Sequence, residues 1–96
     1  MFVGVFRLEF LMPGVRTLKE RRQVISSLKD KLRKNHNFSL VDLSSGRDLA
    51  LANLGAVFAA STYEAAREAG ERLFTVVENA GVQILKFENE VIEIEE

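Results

Sequence analysis

Five cations, Arg16, Lys19, Arg22, Lys29 and Arg33, recur through one stretch of this sequence. With Ser26, positions 19, 22, 26, 29 and 33 follow the i, i+3, i+7, i+10, i+14 rule and lie along one side of a helix. Long cations on one rigid helix can track phosphates along a polymer backbone, and each neutralised phosphate releases a counterion. Glu20 and Asp30 are the acids within the helix, too few for local pairing to neutralise the stripe.

The other chemistry-bearing residues are sparse. His36 is the single histidine. It stands near a helix C-terminus, where a protonated ring meets the negative end of the dipole, and that structural role is sufficient. No second histidine or carboxylate cluster stands at ligand spacing, so no metal is expected. The chain has no cysteine, which removes disulfides, zinc–thiolate sites and thiol nucleophiles. Ser44-Ser45-Gly46 lacks the Gly-x-x-x-x-Gly-Lys frame of a phosphate loop. The late acids Glu88, Glu90, Glu93, Glu95 and Glu96 are splayed by strand alternation and read as a solvated edge. The strands lack the aromatic signature of RNA-recognition domains. The expectation is therefore a non-enzymatic protein with no cofactor and no catalytic residue.

The net charge of −1 conceals an asymmetry. Residues 16–36 hold eight Lys or Arg against two acids, and residues 37–96 hold four against eleven. A basic face favours phosphate-bearing partners, and the acidic remainder argues against indiscriminate nucleic-acid binding. Apolar residues are 47% and charged residues 28%, ordinary values for a globular domain. At 96 residues one domain, 1–96, is expected. No basic leader precedes an apolar stretch, and no apolar run approaches the ~20 residues that span a bilayer. A soluble, cytoplasmic protein with no membrane partner is expected.

The elements that must position the stripe follow in order. Residues 2–12 read as a strand with Phe2, Gly4, Phe6, Leu8 and Phe10 on its core face and Val3, Val5, Arg7, Glu9 and Leu11 on the other. Pro13-Gly14 turns the chain. Thr17 with Glu20 forms a capping box that starts a helix running to about Asn35. Its core side holds Leu18, Val24, Ile25, Leu28 and Leu32, and Asn35-His36-Asn37 supplies its end. Arg21 projects near the middle of that apolar side, where it snorkels over the end of the sheet or pairs with a carboxylate such as Glu9. Residues 38–43 read as a short strand, 44–48 as a polar loop and 49–60 as a buried strand. Ser61 with Glu64 matches a second capping box before a helix over 62–79, which Gly81 stops. Residues 82–95 read as a last strand with a break near Asn89-Glu90.

The order βαββαβ predicts a ferredoxin-like fold, α+β, with a four-stranded antiparallel sheet and two helices on one face. Strands one and three, the most apolar, belong at its centre. Strands two and four carry Ser39, Asp42, Lys86, Glu88, Glu93 and Glu95, charged or polar residues suited to edges. The uncovered sheet face would show Val3, Val5 and Leu11 with Arg7 and Glu9. That is more apolar area than a solvated face needs, and it points to a homodimer through the sheet or its edges.

Thr17-Leu18-Lys19-Glu20-Arg21-Arg22, then Ser27-Leu28, Leu32-Arg33 and Asn37-Phe38-Ser39 with Asp42, resembles the YlxP-like family of small bacterial proteins. Gly4-Val5 and Pro13-Gly14 fit the family's strand and turn. Two departures stand out. Leu49-Ala50-Leu51-Ala52 replaces the common Trp-Gln-Arg-Ala, and Arg21 replaces a lysine. The resemblance implies a ferredoxin-like fold and a place beside translation initiation and small-subunit maturation. The functional expectation is binding of ribosomal RNA or the small ribosomal subunit through Arg16, Lys19, Arg22, Lys29 and Arg33. The alternative is a homodimeric interaction module that uses the open sheet face and binds no nucleic acid.

Overall fold

Alternation of aromatic and β-branched residues makes β1 (Phe2–Leu11) a two-faced strand, with Phe6, Leu8 and Phe10 buried. The computed structural model describes residues 1–95. After β1 come α1 (Leu18–His36), β2 (Ser39–Asp42), β3 (Leu51–Ala60), α2 (Tyr63–Glu78) and β4 (Gln83–Glu93). The strands form one antiparallel sheet in the order β2-β3-β1-β4. Both helices cover the face that carries Phe6, Leu8 and Phe10, and the fold is ferredoxin-like as expected. The apolar strands are central and the polar ones are edges.

The core closes between that face and the two helices. Ile25, Leu28 and Leu32 descend from α1, and Ala66, Ala69, Leu73 and Val77 from α2. Each large side chain removed from water there contributes about 1.5–3 kcal/mol. Gly70 lets α2 approach β1, because a Cβ at that position would lie 2.7 Å from the Phe6 ring.

Both helix starts are capped, in different ways. The Thr17 Oγ1 accepts from the Glu20 amide at 3.1 Å, and the Glu20 carboxylate accepts from the Arg16 amide and the Thr17 hydroxyl. The second helix is capped by Thr62, which accepts from the Ala65 amide at 3.1 Å. The Ser61–Glu64 box therefore does not form. With Thr62 as cap the third helical position is Ala65, and Glu64 turns outward to Arg67. Asn37 ends α1 in the left-handed conformation at φ 58°, and this drops Phe38 into the core.

Three other expectations need correction. Leu18 is exposed, because the first turn of α1 overhangs the core rather than packing on it. β4 runs without interruption through Asn89 and Glu90, where pairing to β1 is regular. Its irregularity is a bulge at Leu85, between the Glu9–Lys86 and Phe10–Ile84 pairs. Strands two, three and four each start or end slightly inside their expected ranges, at 39–42, 51–60 and 83–93.

Candidate nucleic-acid interface

Helix α1 rises ~1.5 Å per residue, so Lys19 and Arg33 stand roughly 21 Å apart along one rigid rod. Arg16, Lys19, Arg22 and Arg33 are exposed, and Lys29 is half-buried. None of the five side chains joins an ion pair among the described residues. Glu20 is occupied at the helix cap. Thus Arg16, Lys19, Arg22 and Arg33 present their charge to solvent with no ion-pair partner among the described residues.

Lys29 differs from the rest. Its charge, with that of Arg21, acts on Asp42 at the end of β2. It therefore sits on the β2 side of the stripe rather than on its crest.

Arg21 is a cation of α1 committed to the fold. Its Nη1 donates to the carbonyls of Leu49 and Leu51 at 3.0 and 2.8 Å, and its Nη2 lies 3.7 Å from the Asp42 carboxylate. The guanidinium, only 11% exposed, ties the start of α1 to the end of β2 and the start of β3. Glu9 is not its partner, because odd positions of β1 face away from the helices. Burial tends to raise the Asp42 pKa. Hydrogen bonds from the Ser44 hydroxyl and amide, then the charges of Arg21 and Lys29, outweigh it and hold the carboxyl below its ordinary value.

His36 closes the last turn of α1 and borders a shallow depression with Glu68 and Arg72 of α2. Among the described residues no group of three His, Cys, Asp or Glu stands at metal-binding distance, and no helix is long and apolar enough to cross a membrane.

A second surface feature lies on the sheet face whose apolar exposure the sequence predicts, and its shape was not foreseen. The open sheet face carries a trough of about 490 Å3 that crosses all four strands. Its floor is Val5 and Val57, paired directly across β1 and β3. Gly55 is the cause of its shape. A Cβ there would lie 2.9 Å from Val41 and 3.1 Å from Leu43, so its absence lets both side chains fold down over β3. On the far side Arg7 pairs with Glu88. Glycine within a central apolar strand was the one hint in the sequence, and its pairing with Val41 appears only in the sheet.

The family model for proteins of unknown function, DUF503, matches residues 3–89. The chain belongs to this family. No curated protein matches the sequence. Solved structures resemble the fold at low identity. One is SnoaB, a cofactor-independent oxygenase from Streptomyces nogalater, with TM-score 0.55 and 12% identity over 98% of this chain and 94% of that one. Another is protein Atu4242 from Agrobacterium tumefaciens, with TM-score 0.52 and 18% identity over 97% and 92%. A third is the de novo designed protein Foldit4, with TM-score 0.54 and 11% identity over 98% of both chains. These likenesses establish the fold alone.

Proposed function

We propose that this protein is a non-enzymatic RNA-binding module that holds the phosphate backbone along α1. The observation that supports it is the set of exposed, unpaired cations Lys19, Arg22 and Arg33 on one capped helix, with Arg16 and Lys29 at its flanks. Such a surface binds phosphates by charge and position, without reading bases. We propose further that the chain is one of the YlxP-like proteins. That membership makes RNA of the small ribosomal subunit the partner and the cytoplasm the place.

The test is co-sedimentation with small ribosomal subunits, and binding to free RNA, across a salt series. Arg22→Glu/Arg33→Glu is the variant of choice, since Lys29 also faces Asp42. Salt-sensitive association that the variant loses, with its melting temperature unchanged, is the expected result. Equal binding by variant and wild type would refute a role for α1, and no association at any salt would remove RNA as the partner.

A further inference from the structure

Exposed aliphatic residues gather on the open sheet face, whereas the helix layer exposes Leu18 and Tyr63 singly. Val41 and Leu43 are 53% and 49% exposed, and Val5, Val57 and Ile92 are also exposed on that face. The pairs across it are Val5 with Val57, Val3 with Ile92 and Leu11 with Leu51. An antiparallel sheet with one solvated face ordinarily alternates polar residues outward. This one turns mainly aliphatic residues outward on β2, β3 and half of β1.

Three observations indicate the occupant. The first is size. Strands of 10, 4, 10 and 11 residues, at ~3.3 Å per residue and ~4.8 Å apart, give a plane of roughly 550 Å2. Side-chain relief raises its accessible area toward the ~800 Å2 per partner that a standard stable interface buries.

The second is charge. The face carries Arg7 and Lys86 against Glu9, Glu88 and Glu90. Arg7 and Lys86 both pair with Glu88. The charges of this face nearly cancel, so two copies meet with little net repulsion, whereas the cationic crest of α1 repels a second α1.

The third is shape. Val41 and Leu43 lean over Gly55 and wall the trough on its β2 side, with about half of each residue still exposed. A two-fold axis near Val57 places that wall of each copy in the trough of the other, which is the self-complementarity an isologous contact requires.

We infer that the open sheet face binds a second copy of this chain, sheet against sheet, with Val41 and Leu43 of each copy seated in the other's trough. The two sheets stack ~10 Å apart, and both α1 helices remain on the outside. This inference is independent of what α1 binds.

Mass measurement by light scattering or equilibrium sedimentation over a concentration series tests it. The wild type is expected at twice 10.8 kDa, dissociating on dilution. Val57→Glu and Val41→Glu should both be monomeric wherever the wild type is dimeric, with unchanged circular dichroism. Arg22→Glu/Arg33→Glu should dimerise as the wild type does. Should Val57→Glu fail to fold, Val41→Glu, on the short edge strand, carries the test. A monomeric wild type throughout the series overturns the inference and leaves the face to a different protein. Dimers that persist in the sheet variants overturn it as well, by placing the contact elsewhere.

Discussion

The two helices lie on the same sheet face, yet they treat their surface charge in opposite ways. On α2, Arg67 is clamped between Glu64 at 3.1 Å and Glu71 at 2.7 Å, and Arg72 lies over the Phe58 ring at 5.3 Å. The two carboxylates raise the Arg67 pKa still further. Among the described residues the crest cations of α1 have no such partners, whereas Arg21, turned inward, is held. Charge content alone does not mark a binding surface. What separates the helices is whether each cation already has a carboxylate or an aromatic ring within reach.

That contrast can be broken from either side. The largest effect should come from the α1 crest, where Arg22→Glu/Arg33→Glu replaces two phosphate contacts with repulsions. RNA affinity at low salt should fall by roughly tenfold or more per residue, and the salt dependence should become shallower. Next is Arg21→Met, which leaves the Leu49 and Leu51 carbonyls without a charged donor. Chemical denaturation should show a loss of about 2 kcal/mol, although no surface charge on the crest has changed. Thr17→Ala should cost about 1 kcal/mol by the same measurement. Its effect should exceed that of Thr62→Ala, because Thr17 serves a reciprocal box and Thr62 a single bond.

Smaller effects sharpen the comparison. Asp42 has a depressed pKa, so its contribution is present above its unfolded value and is lost as pH falls through the folded one. Asp42→Asn should therefore lower the melting temperature at neutral pH. The gap to wild type should close as pH drops below 3.8. Solvent screening of a carboxylate 36% exposed keeps this effect under ~1 kcal/mol. Smallest of all, Arg67→Ala on α2 should leave the melting temperature nearly unchanged, since its pairs are solvent-exposed.

Most of the architecture was legible in the residues. The two periods of β1 and α1, the Thr17–Glu20 box and the order of apolar and charged strands lead directly to the observed sheet. The errors share a physical cause. Ser61 and Thr62 are adjacent hydroxyls, and the choice between them depends on how α2 seats on Phe6. Arg21 could be seen to need a partner. However, Asp42 and the Leu49 and Leu51 carbonyls reach it only after β2 and β3 are paired. The trough was hidden for a similar reason, since Gly55 and Val41 become neighbours only through the β2–β3 register. Local chemistry was readable, and juxtapositions across the sheet were not.

Strand β1 has a partner on each side, and these arrive at very different times. As the chain is synthesised, β3 can join β1 once residue 60 has emerged. The other flank of β1 stays open until residues 83–93 follow. Through that interval Leu8 and Phe10 belong to a sheet with one unfinished central strand. Pairings this remote in sequence slow folding and leave a strand edge available to neighbouring nascent chains. The last strand, the most acidic in the molecule, therefore also acts as the closure that takes the central strand out of reach.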